Sequence, residues 1–252
     1  MGDLRDGLRL ALTLLTVAPV RSGRVDRATA TVAMAAAPAV GLLIGALSGA
    51  VLVALTRIGM PALPSAVAAV ALAAGLTRGL HLDGLADTVD GLGSYGGPER
   101  ALAVMKQPDI GPFGVVAIVL ALLGQTAALA AIAYRPAPQV ILAVAVALGT
   151  GRLAAALACR RGVPAARPEG MGALVAGVVR PVTVAAWAIG LGLAGAGAGS
   201  WPGAAAVALG LGAAALLVRH TVRRFGGITG DVIGAAIELT STICLVVLTI
   251  PE

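Results

Sequence analysis

The chain has 252 residues, of which 58% are hydrophobic and 12% charged, with a net charge of +6 and a mean hydropathy of +0.96. A soluble domain carries about 25% charged residues, so this composition excludes an ordinary water-soluble fold. It specifies instead an all-α polytopic membrane bundle, one domain over residues 1–252 and surrounded by membrane lipid. The basic residues are scattered between apolar spans, which argues against nucleic acid as a partner.

In chain order, residues 1–20 alternate charges with Leu4, Leu8, Leu12 and Leu15, predicting a short interfacial helix that ends at Pro19. The opening MGDLRDGLRL is too charged for a signal peptide. A first span follows at about 32–56, with Pro38 and Gly41 inside it. A second is apolar from Ala62 to Leu76 and runs on into RGLHLDGLADTVDG, residues 78–91. As one helix through Gly91 it would be roughly 45 Å long, projecting its acidic end past the hydrocarbon. Residues 92–111 read as a polar loop. Further spans are expected at about 112–133, 139–158, 182–199, 203–218 and 232–250, giving about seven in all. The stretch MGALVAGVV (171–179) is too short to cross and reads as re-entrant or interfacial.

The loops alternate in charge. One side collects Arg5, Arg9, Arg21, Arg24 and Arg27, then Arg78, Arg100 and Lys106, then Arg152, Arg160, Arg161, Arg167 and Arg180, then Arg219, Arg223 and Arg224. The other side has only Arg57 and Arg135. The positive-inside rule puts the N-terminus and all the acidic clusters on the cytoplasmic side of the plasma membrane. Abundant Gly and Ala allow close helix packing, within a subunit or between copies, so an oligomer is possible. Cys159 and Cys244 show no metal-ligand spacing.

The chemistry is expected in two places. Asp83, Asp87 and Asp90 fall within an arc of roughly 60° on one helix face. Like charges so close repel one another, and a carboxylate at the bilayer centre costs about 2.5–3.5 kcal/mol, so the cluster needs cations. The second place is GGITGDVIGAAIE, residues 226–238, where Asp231 and Glu238 point within about 20° of each other on one helix. Glu238 lies two turns inside a span and must be protonated, paired or bound to a cation. Gly226, Gly227 and Gly230 could let backbone N–H groups approach a phosphate at the helix start, or could simply form a flexible loop.

Oxygen-only ligands suit Mg²⁺ or Mn²⁺, and magnesium sites of that kind usually bind phosphate too. Asp83, Asp87, Asp90, Asp231 and Glu238 are the candidate metal ligands, the first four also being candidates for catalysis. Arg78, Lys106, Arg152, Arg223 and Arg224, with Gly227 and Gly230, are candidates to hold the rest of an anionic substrate. Arg152 sits inside an apolar span and reads equally as a snorkelling or salt-bridged side chain. His81 reads as a hydrogen-bonded group behind the acids rather than as a ligand. The chemistry favoured is phosphoryl transfer at the membrane surface, with one carboxylate taking the proton from an attacking hydroxyl.

At these residues the chain resembles the cobalamin synthase, or adenosylcobinamide-GDP ribazoletransferase, family. The resemblance rests on HLDGLADTVDG (81–91), on Met105-Lys106 with DIGPFG (109–114), on GGITGDVIGAAIEL from Gly226, and on PAVGLLIG (38–45). It implies Mg²⁺-dependent joining of α-ribazole, or its 5′-phosphate, to adenosylcobinamide-GDP with release of GMP, late in cobalamin assembly. It also implies that Asp83, Asp87, Asp90, Asp231 and Glu238 belong to the site. The chain departs from the family pattern at Leu82, where Glu is common, and at Gln107-Pro108-Asp109. The motif is also similar to that of the CDP-alcohol phosphotransferases, though with its acids compressed into eight residues. A cation transporter is a third reading, disfavoured because the acids lie mostly near one face.

Overall fold

The computed structural model describes residues 2–21 and 23–251, apart from the side chains of 198–200. The described residues form the helices α1 (Gly2–Leu15), α2 (Arg27–Arg57), α3 (Ala62–Leu76), α4 (Leu80–Gly93) and α5 (Pro98–Val104). These are followed by α6 (Pro112–Ile132), α7 (Ala137–Ala158), α8 (Met171–Val175), α9 (Pro181–Phe225) and α10 (Gly230–Val247). Among the described residues, β-structure is limited to two isolated bridges, Arg160 with Val179 and Ala165 with Ile228. The fold is an all-α membrane bundle.

Among the described residues, five helices are long and apolar enough to cross a membrane, and six if α3 and α4 form one bent span. The expected count of about seven is not confirmed. The shortfall lies in α9, whose first arm, Pro181–Gly197, is shorter than the crossing helices, while its second arm, Trp201–Phe225, is long enough. A Cβ on Gly195 would lie 2.6 Å from the carbonyl oxygen of Gly203. Eight residues of straight helix would separate these positions by about 12 Å. The two arms thus fold back on each other between Gly195 and Gly203.

The second departure is in the 62–91 stretch, which is not one helix. α3 and α4 meet at 86°. Arg78 and Gly79 both have positive φ, 54° and 67°. Gly79 N–H donates to the Ala74 carbonyl at 2.9 Å and Arg78 N–H to the Gly75 carbonyl at 3.1 Å. Those paired bonds are a Schellman C-cap, which satisfies the end of α3 and turns the chain. The acidic segment therefore swings across the end of the bundle instead of projecting from it.

Small residues set the packing. Gly41, Gly45 and Gly49, four apart on α2, face α7. A Cβ on Gly41 would lie 2.4 Å from the Leu148 carbonyl oxygen, one on Gly45 2.5 Å from that of Val144, and one on Gly49 2.9 Å from Ile141 Cα. This is a small-xxx-small stripe, and it lets the two backbones touch where lipid offers no hydrophobic drive. α2 starts with a capping box in which Asp26 accepts from Thr29 N at 2.9 Å and Thr29 Oγ1 accepts from Asp26 N at 3.0 Å. The Thr29 N–H holds the Asp26 carboxyl below the usual carboxylate range. α1 ends at Leu15, earlier than Pro19. It is docked on α2 through Gly7, Leu10, Ala11 and Leu15, and Val17 N–H reaches the Leu76 carbonyl at 2.8 Å.

Gly45→Leu should destabilise the protein by about 1–3 kcal/mol, because the side chain has only backbone to displace. Gly190→Leu, at an α9 position with nothing within 4 Å, should leave stability unchanged. Thermal denaturation in detergent, followed by monodispersity, reads the contrast.

Candidate active site

The acids of α4 meet the start of α10 because glycines line the crossing. A Cβ on Gly84 would lie 2.7 Å from the Asp231 carbonyl oxygen, and one on Gly234 3.2 Å from His81 Cα. Asp83 is exposed, Asp87 and Asp231 are half-buried, and Asp90 is buried. Asp83, Asp90 and Asp231 all act electrostatically on Asp87. Thr229 caps α10, its hydroxyl accepting from Val232 N at 3.2 Å and lying 3.1 Å from Asp231 Oδ2 as a donor. Two segments about 140 positions apart thus bring Asp83, Asp87 and Asp231 together (roughly 231 less 87).

Asp90 has a different job within the same cluster. Its Oδ2 accepts from Gly111 N at 2.8 Å and its Oδ1 from Gly114 N at 2.9 Å. These are the N-cap and first-turn amides of α6, so the carboxylate satisfies a helix start from another element. Gly111 and Gly114 are needed there, since a Cβ on either would lie 2.4 Å from an Asp90 oxygen.

The loop between α7 and α9 folds over the start of α10. Ile228 N donates to Pro164 O at 2.9 Å and Ala166 N to Ile228 O at 3.0 Å. Gly227 serves this pairing: a Cβ there would lie 2.4 Å from the Ala165 carbonyl carbon. The backbone at 228 is thereby committed to protein. Gly230 lines two small cavities beside Asp231, and Gly226 forms the left-handed cap of α9 with φ 83°. The pairing also brings Arg167 within electrostatic reach of Asp231, and both line the cavity floored by Thr229 and Gly230. The sequence reading placed Arg167 among the topological charges. Its role near the acids depends on that long-range pairing, and nothing local signals it.

The other candidate cations spread out. Arg224 donates to the Ser94 carbonyl at 2.8 Å, tying the end of α9 to the end of α4. Arg223 faces a separate groove with Arg160 and Arg219. Arg78 and Lys106 are exposed. Arg152 lies in the interior, 2% exposed, within electrostatic reach of Glu238. Glu238 accepts from Gln125 Nε2 at 2.8 Å, and its Oε1 is 3.9 Å from His81 Nδ1, beyond hydrogen-bond distance. Glu238 is thus grouped with Arg152, Gln125 and His81, one layer beneath the aspartates. Gln125 was not singled out from the sequence, because a lone amide in an apolar span carries no pattern.

Among the described residues no three His, Cys, Asp or Glu side chains converge into a ready metal cage. Magnesium seldom needs one: it keeps several waters and is usually held by one or two carboxylates plus substrate phosphates. The open set of Asp83, Asp87 and Asp231, all oxygen donors, fits that mode. Both cysteines are buried and free.

Asp90→Ala should cost stability, since each amide bond to a buried carboxylate contributes about 1.5–3 kcal/mol. Asp87→Ala should be tolerated structurally, because no hydrogen bond holds its carboxylate in place. Melting temperatures of the two variants, measured side by side, check this.

The family model described as cobalamin-5-phosphate synthase matches residues 7–249. The chain is 44% identical to a protein named adenosylcobinamide-GDP ribazoletransferase from Frankia casuarinae, with 96% of this chain and 95% of the relative covered. It is 44% identical to a protein of the same name from a Nocardioides species, covering 94% and 95%. It is 35% identical to another from Bradyrhizobium diazoefficiens, covering 95% and 92%. No solved structure matches. With the match running nearly end to end and through both acidic segments, the chain belongs to the cobalamin-5-phosphate synthase family.

Proposed function

We propose that this protein is an adenosylcobinamide-GDP ribazoletransferase of the cytoplasmic membrane. It joins α-ribazole, or its 5′-phosphate, to adenosylcobinamide-GDP and releases GMP, late in cobalamin synthesis. The observation that carries the reading is the meeting of Asp83 and Asp87 on α4 with Asp231 at the start of α10, which gives an acidic site at one end of the bundle. The family's relatives carry the same activity in their names. The arginine bias of the loops at that end supports a cytoplasmic N-terminus and a cytoplasmic site, where a large polar corrinoid nucleotide has access.

The reaction displaces GMP from phosphorus. The acceptor hydroxyl oxygen bonds to the phosphorus on the cobinamide side of the diphosphate, while the P–O bond to GMP breaks and its electrons leave with GMP. Asp83, Asp87 and Asp231 would hold Mg²⁺, which when bound neutralises charge on the diphosphate. The same carboxylates sit where one of them can accept the hydroxyl proton. Arg167, beside Asp231, and the exposed Lys106 at the same end of the bundle contribute positive charge toward the anionic donor. The glycine-lined contact between α4 and α10 holds the acids in place before substrate arrives, which spares reorganisation during reaction.

The decisive assay is purified protein with adenosylcobinamide-GDP, α-ribazole and Mg²⁺, scored for GMP release. Asp83→Asn and Asp231→Asn should each lower turnover by about 10²–10³-fold while the melting temperature is kept. Chelation should abolish activity and added Mg²⁺ restore it. Full activity in either variant, or turnover of CDP-diacylglycerol with an alcohol instead, would overturn the reading.

A further inference from the structure

Beside the acids, α1, α2, α4, α8 and α10 enclose a second compartment of about 210 Å³. Asp83 and Asp231 stand in its wall, and the rest is largely aliphatic and thioether, including Leu14, Met34, Met171 and Ile237. Among the described residues, His81 is the one other polar side chain lining it. That imidazole is 6% exposed; its Nδ1 is shut off and faces Glu238 Oε1 at 3.9 Å, while among the described residues its Nε2 has no hydrogen-bond partner.

Pockets that take whole drug-sized ligands span about 300–1,000 Å³. This one is too small for a nucleotide-activated corrinoid and large enough for a single flat ring system. Its walls favour an apolar group, and methionines at two positions adapt to a planar edge. A buried imidazole with a free nitrogen can offer one directional hydrogen bond, and a saturated chain has no use for it. The compartment opens beside Asp83 and Asp231, so whatever it holds is positioned to present an attached hydroxyl to the reacting phosphorus. We propose that this compartment binds the heterocyclic base of the acceptor nucleoside, with the apolar ring between α1, α2 and α8 and its polar edge toward His81. The inference rests on the ribazole-transfer reading and adds to it the place and the selectivity of the acceptor.

Two substitutions fill the compartment from elements outside the acidic cluster, Leu14→Trp on α1 and Met171→Trp at the exposed start of α8. With both variants folded by melting temperature, the KM for α-ribazole should rise at least tenfold, while the KM for adenosylcobinamide-GDP stays within twofold. Met34→Ala, which widens the compartment, should raise activity with a nucleoside bearing a three-ring base relative to α-ribazole. Unchanged acceptor KM in both tryptophan variants, or donor and acceptor KM rising together, would overturn the assignment while leaving the transfer reading intact. If the wild type releases no GMP, that reading falls instead, and equilibrium dialysis with α-ribazole alone decides the compartment. Saturable binding lost in both tryptophan variants supports it. Binding that survives them, or that phospholipid displaces and a nucleoside analogue does not, overturns it.

Discussion

Charge repulsion is the constraint around which this bundle is built. Asp83, Asp87, Asp90 and Asp231 are crowded at one end of an otherwise apolar chain, and each would prefer water to its neighbours. They stay together because the backbones that carry them touch. Gly84 and Gly234 remove the side chains that would keep α4 and α10 apart, so backbone packing holds what electrostatics opposes. Asp90 is relieved separately, by the amides at the start of α6. Asp83, Asp87 and Asp231 keep a shared negative potential that attracts cations.

The bend between α3 and α4 decides where that potential points. A straight helix would have carried the acids out past the hydrocarbon and away from α10. The Schellman cap at Arg78-Gly79 turns α4 across the end of the bundle, so that its polar face lies over the entry to α10. The loop from 160 to 180 then closes over the same entry. Its pairing at Ala165 and Ile228 uses backbone hydrogen bonds, which in a poorly hydrated setting are costly to leave unmade. Arg27 holds the far side of this loop by donating to the Ala173 and Ala176 carbonyls at 2.9 and 2.8 Å.

Beneath the aspartates, Arg152, Glu238, Gln125 and His81 form a buried polar layer. Burying an arginine is expensive unless an opposite charge is near, and Glu238 supplies it. His81 joins this layer to the compartment beside Asp83 and Asp231. The sequence had offered Arg152 as a substrate-holding or a salt-bridged side chain and Glu238 as protonated, paired or bound to a cation. The structure groups them with each other, since their positions on α7 and α10 face inward.

The sequence alone determined the membrane class, most of the apolar spans and the two acidic segments, because composition and helical periodicity are local properties. It also determined that Asp83, Asp87 and Asp90 share a helix face, which follows from their spacing. Only the tertiary structure decided that Asp90 caps α6, that Arg167 stands beside Asp231, and that Arg223 faces away from Arg224. It likewise broke the 62–91 stretch at Arg78-Gly79. The capping of α6 by Asp90 and the approach of Arg167 to Asp231 depend on contacts between segments far apart in the chain, and such contacts leave no periodic trace in the residues that make them.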